Sequence, residues 1–379
     1  MKKFTLLFVA FVSISVFLTA SALAAEPIKI GVFQPLTGAF SGAGNMQLKA
    51  IQLAHKLKGS VLGSPIELVL EDNKSDNDEA RNSVYKLASK EVNAIIGSYN
   101  STLTFPASIV TELLQVPLIV PSCTHPIITQ DKKTVFRTCF SDVDQSRAAV
   151  DYIFNVMKAR KAAVMVNIVD EYATSLGFLF NAGFVADGGT IATTVAFAPS
   201  DKDLSEKLKF IIESKPDVLY LPTHYNLGVN IIKQARKLGA KFPIFCADAM
   251  FSSTLPKDLG PDAEGLTLTT MSFMADAPTS QMSKEQKHFL EAWKKEYGDL
   301  TPSTSAACAY DAYMALISAI ESKKSADRGD IVAGMEELSN LPSVTGPITI
   351  NSDHNSNSPV IVVTIKNGKT VITKTYKNN

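Results

Sequence analysis

Short strand-type runs alternate with helix-period stretches from Ile28 to Cys246, and the alternation runs through two successive series. Strands interleaved with helices of this length imply right-handed βαβ crossovers and parallel sheets. The first series reads as strand 28–33, helix 45–58, strand 66–70, helix 76–91, strand 94–96, helix 103–114 and strand 118–120. Within 45–58, Met46, Leu48, Ala50, Ile51, Ala54 and Leu57 keep helical spacing. A short run at 135–140 leads into the second series: helix 145–158, strand 162–168, helix 175–186, strand 191–197, helix 203–214, strand 218–221, helix 227–238 and strand 244–246. Asp203 reads as an N-cap, and Gly239 follows a helix end. A chain of 379 residues is too long for one core, since cores stop growing at roughly 250–300 residues. Two series therefore imply two lobes.

The texture changes after Gly265. An extended run at 266–273 is followed by helices at 284–297, 304–323 and 331–338. Strands 360–365 and 370–375 then flank Asn367-Gly368, a strong hairpin signal.

The first residues read as an address. Lys2 and Lys3 precede an apolar run at 4–18, and small residues lead to Ala22-Leu23-Ala24, the pattern of a secretory signal peptide spanning 1–24. The competing reading is a membrane anchor, but the run is short for a span of ~20 residues and no cationic flank follows. No cysteine lies near the cut to carry a lipid. Lys plus Arg equals Asp plus Glu at 37 each, so losing Lys2 and Lys3 leaves a slight acidic excess. A nucleic-acid partner would want a basic excess. No later stretch approaches ~18 apolar residues, so a soluble, exported protein is expected.

Motifs for chemistry are mostly missing. Gly42-Ala43-Gly44 begins a dinucleotide fingerprint, but Gln47 stands where its third glycine belongs. Neither a P-loop nor a G-x-S-x-G elbow occurs. The five histidines are scattered, without the paired spacing of a zinc site. Asp353 to Asn357 imitates the start of a calcium loop, yet Ser358 and Thr364 replace its glycine and glutamate, so a polar turn is expected. No cofactor or metal is expected. Cys123, Cys139, Cys246 and Cys308 allow three pairings, with buried free thiols at least as good a reading; no disulfide is assigned.

What remains is a set of polar strand ends, the positions outside which open parallel sheets bind ligands. The first series supplies Thr37, Asn100-Ser101-Thr102 and Ser122-Cys123-Thr124; the second supplies Tyr172, His224-Tyr225 and Asp248. Ser101 and Thr102 open a helix and are placed to receive a carboxylate, or else Ser101 is simply an N-cap. Asp248 is placed to pair with an ammonium group, or else is a cap or loop acid.

Ile28-Lys29-Ile30-Gly31 with Pro35-Leu36-Thr37-Gly38, Ile95-Ile96-Gly97 with Ser101, and Pro106-Ala107-Ser108 carry a resemblance. Val120-Pro121-Ser122 with Thr124, Phe136-Arg137-Thr138, Lys233-Gln234-Ala235-Arg236 with Gly239, and Tyr310-Asp311-Ala312 extend it in order along the chain. Together they resemble the type I periplasmic solute-binding proteins of ABC importers, specifically the branched-chain amino-acid (leucine/isoleucine/valine) group. The resemblance implies an α/β fold of two Rossmann-like lobes with parallel sheets, joined by a three-segment hinge. Its topology places lobe 1 at 26–138 plus 274–346 and lobe 2 at 139–273 plus 347–379, with crossings near 138–140, 270–273 and 345–347. It also implies that Ser101, Ser122 and Thr124 hold a ligand carboxylate, that Tyr172 covers the ligand, and that Asp248 receives an α-ammonium. His224 falls where the family usually has a second tyrosine, with Tyr225 adjacent, and Ala43 where a bulky aromatic is common. These departures, and Asp248 in place of a longer Glu, point to a roomier or more polar pocket than the leucine binders have.

The implied function is capture of a small ligand, most simply an amino acid, by hinge closure and delivery to an ABC permease by a monomeric, non-enzymatic protein. Two alternatives are a sensory role and a ligand that is another small carboxylate or amide. An enzyme would need a nucleophile with a base in reach, for which Cys123 and His125 are the only neighbouring pair.

Overall fold

The computed structural model describes residues 26–377; the expected signal segment 1–24 lies outside the described residues. Two separate sheets organise the chain. The first contains β1 (Ile28–Gln34), β2 (Ser60–Val61), β3 (Ser64–Asp72), β4 (Ala94–Ile96), β5 (Leu118–Val120) and β6 (Val135–Arg137), in the order β2-β3-β1-β4-β5-β6. All its pairings are parallel except the β2–β3 hairpin. Crossovers are made by α1 (Ser41–Leu57), α2 (Asn77–Ser89) and α3 (Ser101–Leu113).

The second sheet contains β7 (Lys161–Asn167), β8 (Thr190–Phe197), β9 (Val218–Leu221), β10 (Ile244–Cys246), β11 (Thr267–Thr270), β12 (Val360–Lys366) and β13 (Lys369–Tyr376). Its order is β13-β12-β11-β10-β9-β7-β8, parallel apart from the last two strands, which add as an antiparallel edge. Its helices are α4 (Asp142–Asp151), α5 (Glu171–Ala186), α6 (Ser205–Glu213), α7 (Tyr225–Lys237) and the short α8 (Leu255–Leu259).

Each sheet is covered on both faces because successive strand residues point to opposite sides. In β4, Ile95 packs with Val84, Leu87, Leu103 and Val110 of α2 and α3. Its neighbours Ala94 and Ile96 join the other layer. There α1 packs with α9 (Lys284–Tyr297), α10 (Thr304–Lys323) and α11 (Arg328–Glu336), around Trp293 and Tyr313. In β9 the same alternation sends Leu219 and Leu221 to one layer and Val218 and Tyr220 to the other. The late helices thus return to the first sheet while the final hairpin completes the second. The chain accordingly crosses between sheets three times: before α4, after β11 and after α11. Cys139, Phe140, Met271, Cys308 and Val360 form a small buried cluster where these crossings meet.

Several boundaries differ from the sequence expectation because caps set them. The helix expected from 103 begins at Ser101, capped by Asn100 rather than by Ser101. The helix expected at 145–158 begins at Asp142, because Ser141 and Asp144 form a reciprocal capping box, and its end widens into a π turn over Tyr152–Val156. Asp203 is not the N-cap of α6, which starts at Ser205; its Oδ1 instead accepts the Ser205 amide at 2.9 Å. The segment imitating a calcium loop is a polar turn in which Asn351 Oδ1 accepts the amides of Asp353 and Asn355. All four cysteines are free and buried.

Candidate functional site

The cleft begins where β4 ends. Gly97 has φ +150°, and a Cβ there would stand 2.2 Å from the Phe33 carbonyl, so only glycine lets the chain turn so close to β1. The following loop delivers Asn100, whose Oδ1 accepts the amides of Thr102 (2.8 Å) and Leu103 (3.3 Å). Capping therefore falls to Asn100, and the Ser101 hydroxyl is released to line the cleft. After β5, Ser122 reaches the same space, its hydroxyl accepting a 2.6 Å bond from Gln47 Nε2. Gln47, the residue that breaks the dinucleotide fingerprint, is completely buried and orients this serine.

Opposite them stand the strand ends of the second sheet. Tyr172, in the first turn of α5, donates to Asp248 Oδ1 at 2.8 Å and accepts the Ala249 amide at 3.1 Å. Gln145 Nε2 donates to the same Asp248 oxygen at 2.9 Å. Both bonds fall on Oδ1. Burial pushes the Asp248 carboxyl above its ordinary value, although its bonds from Tyr172 and Gln145 and the nearby His224 pull the other way.

His224 closes the mouth. Its Nε2 lies 3.1 Å from Asp170 Oδ2 and 3.2 Å from Asn100 Nδ2, and its Nδ1 lies 3.3 Å from the Tyr99 hydroxyl. Phe40, Tyr99 and Tyr172 surround the ring with centroids 5.2–5.9 Å away. Burial disfavours the imidazolium, but the Asp170 carboxylate outweighs it and the His224 pKa is raised. Thr102 Oγ1 also reaches across, donating to Asp170 Oδ1 at 3.2 Å and accepting the Glu171 amide at 3.1 Å. Tyr225 turns away, its hydroxyl bonded to Asp258 and Thr254.

Of the residues expected at the site, Ser101, Ser122, Tyr172, His224 and Asp248 line one cavity of about 70 Å³ between the sheets. Thr124 does not line it. Its carbonyl accepts the Asp142 amide at 2.7 Å, and its hydroxyl is buried on the side of the Asp142 carboxyl. Residues missed from sequence complete the walls: Tyr99, Phe251, Thr270, Met271 and the hydroxyl run Ser303-Thr304-Ser305 at the start of α10. Only the N-cap position of Ser303 signalled that last group; nothing local signalled Gln145 or Asp170. A surface groove of about 1290 Å³ around Lys132, Arg328 and Asp353 is open to solvent and holds none of the lobe-facing strand-end residues.

The cleft has the makings of a binding site and not of a catalytic one. Burial pushes the Cys123 thiol up to about 12 and the His125 imidazole down to about 4, and His125 Nδ1 accepts its own Ile127 amide. Thiol and imidazole are thus not paired as nucleophile and base. Among the described residues no cluster of three His, Cys, Asp or Glu is arranged to hold a metal.

Two α/β lobes, three crossings and a small polar cavity clasped between strand ends define a hinged solute-binding protein. The chain belongs to the periplasmic binding protein family, whose model matches residues 27–370. It is similar to the Leu/Ile/Val-binding protein BraC3 of Rhizobium johnstonii, with 28% identity over 88% of this chain and 89% of that one. The leucine binding protein LivK of Thermotoga maritima superposes with a TM-score of 0.85 and 32% identity, over 92% of this chain and 99% of that one. A solute binding protein of R. palustris in complex with benzoate shares the fold at a TM-score of 0.82 and 21% identity, over 93% of this chain and 97% of that one. These relatives make it a type I binding protein of the branched-chain amino-acid group, a solute binder of ABC transport systems and not an enzyme.

Proposed function

We propose that the protein captures a free amino acid between its lobes and delivers it to an ABC importer permease, working as a monomer outside the cytoplasmic membrane after losing residues 1–24. One observation carries this reading. The cavity opposes the hydroxyls of Ser101 and Ser122 on one wall to the Asp248 carboxylate, steered by Tyr172, on the other. A ligand with a carboxylate at one end and an ammonium at the other fits that division of charge. The names of the Rhizobium and Thermotoga relatives, Leu/Ile/Val-binding and leucine binding, support the class. Among the described residues no helix is long and apolar enough to cross a membrane, in keeping with an exported binder.

The side-chain end of the cavity is where this protein departs from leucine binders. His224 replaces an expected tyrosine, and Ser303, Thr304 and Ser305 line the wall, which favours a small ligand with some polarity. A thermal-shift screen against the twenty standard amino acids, small carboxylates and amides identifies the ligand, since a bound ligand raises the midpoint by mass action. Asp248→Ala should then weaken an amino acid by about 10- to 100-fold, the equivalent of one charge-assisted hydrogen bond. The benzoate complex of a similar fold motivates a second reading, an aromatic carboxylate. Such a ligand has no ammonium, so unchanged binding in Asp248→Ala would replace the first reading with the second.

A further inference from the structure

Behind Asp248 lies a second acid that the binding reading leaves unused. Asp142, in the first turn of α4, is fully buried. Its Oδ1 accepts a 2.9 Å bond from Gln145 Nε2, the same nitrogen that donates to Asp248 Oδ1 at 2.9 Å. One amide group therefore ties the two carboxyls together. Gln145 is itself held in place by Thr269, which donates to its Oε1 at 2.9 Å. The other Asp142 oxygen, Oδ2, is buried without a well-formed hydrogen bond.

Among the described residues no cation forms an ion pair with either acid. Arg137 is a fully buried cation whose charge is felt by Asp142, but its guanidinium spends its bonds on neutral oxygens: Asn355 Oδ1, the carbonyls of Cys123 and His125, and Thr129 Oγ1. His224 faces Asp248 but is already matched by Asp170. The other titratable groups around the pair are the thiols of Cys123, Cys139 and Cys308 and the phenols of Tyr99, Tyr172 and Tyr220. Burial pushes all six upward, so they stay neutral near pH 7. Two adjacent carboxyls in so dry a place do not both hold a charge unless a cation arrives.

We infer that Asp142 is a positioning acid of the ammonium subsite, acting through Gln145 on Asp248, so that capture of an ammonium-bearing ligand expels a proton from the pair. The inference rests on the amino-acid reading above. Before binding, the pair shares one proton, since burial pushes both carboxyls up, Asp142 to about 7. The ligand's ammonium arrives already protonated and supplies the missing positive charge. The carboxyl O–H bond then breaks and its proton passes to the buffer, leaving Asp248 against the ammonium and Asp142 behind it, both as carboxylates. The pair's own contribution to affinity should accordingly rise with pH through neutrality, opposite in sign to that of the His224–Asp170 contact. The proton count released equals the slope of log affinity against pH, up to about one.

The test is titration calorimetry with each of the twenty standard L-amino acids, in phosphate and in Tris, whose ionisation heats differ. For the tightest binder, the wild type should release about half to one proton near pH 7, and its dissociation constant should fall roughly threefold to tenfold from pH 6 to pH 8. Asp142→Asn should release none and keep the weaker, acid-side affinity at both pH values. An infrared difference spectrum of the wild type provides a readout that needs no variant, because ligand addition should erase a protonated-carboxyl band. An amino acid that binds with no proton released and no such band lost overturns the inference while leaving the amino-acid reading intact. Binding by none of the twenty removes both.

Discussion

His224 Nε2 stands 3.1 Å from Asp170 Oδ2, and this pair from the second lobe meets Tyr99, Asn100 and Thr102 of the first across the mouth of the cleft. Two helix N-termini, α5 and α7, present the pair, and the loop between β4 and α3 receives it. Closure is thereby held by polar contacts that belong to the protein itself, in addition to any that a ligand adds.

The latch should be pH-dependent, with limits set by its two members. The raised His224 pKa gives a contribution complete below the ordinary imidazole value of ~6.5 and lost as pH climbs through the raised one. The lowered Asp170 pKa gives a contribution complete above ~3.9 and lost as pH falls through the depressed one. Small-angle scattering of the ligand-free protein should show a smaller radius of gyration at pH 5.5 than at pH 9. His224→Ala should erase the difference; equal radii in the wild type would remove the latch.

Tyr172 both steers Asp248 and caps the Ala249 amide. Tyr172→Phe keeps the ring and deletes only the hydroxyl, leaving a buried amide and a carboxylate oxygen short of partners. A loss of about 1–3 kcal/mol in chemical denaturation is expected, with ligand affinity reduced about tenfold. A variant that binds as tightly as wild type would show that Asp248 is oriented by Gln145 alone.

Arg137 joins the loop after β5 to the turn before β12, donating to Cys123, His125, Thr129 and Asn355 from a fully buried position. Arg137→Met removes all four of these donated bonds from a buried site and should cost about 3 kcal/mol or more, read as a lower denaturation midpoint. Arg137→Lys should rescue little of it, because an ammonium cannot span the fork that the guanidinium fills.

Much of this architecture was legible in the sequence because strand and helix periods are local. The ranges of β4, β5, β9, β10, α9 and α10 coincide with their expected bounds. Helix starts were less legible: a cap depends on which side chain turns back, and Asn100 rather than Ser101 does so, at φ 75°. With ψ 129° that backbone lies outside the left-handed region that Asn favours, so no local propensity announced the cap. Thr124 went astray for a different reason. It lies on the β5 loop as expected, but its hydroxyl is buried on the Asp142 side, outside the cavity lining.

Cys123, Cys139, Cys246 and Cys308 are buried and unpaired, and burial raises all four thiols. Ellman's reagent should therefore find no reactive thiol in the folded protein and four after unfolding in guanidinium without reductant. Fewer than four after unfolding would reveal a disulfide.

The sequence by itself determined that this chain forms two parallel α/β lobes with polar residues at their strand ends, since alternation and periodicity are written in neighbouring residues. The tertiary structure decided which of those polar residues act together. His224 rather than Tyr225 faces the cleft because Asp170 and Asn100 engage the first, while Asp258 holds the second at the surface. Gln145 meets Asp248 across 103 positions of sequence, and that amide also joins Asp142 to the site. Such contacts follow from the packing of one sheet's strand ends against a distant helix, and no local period encodes them.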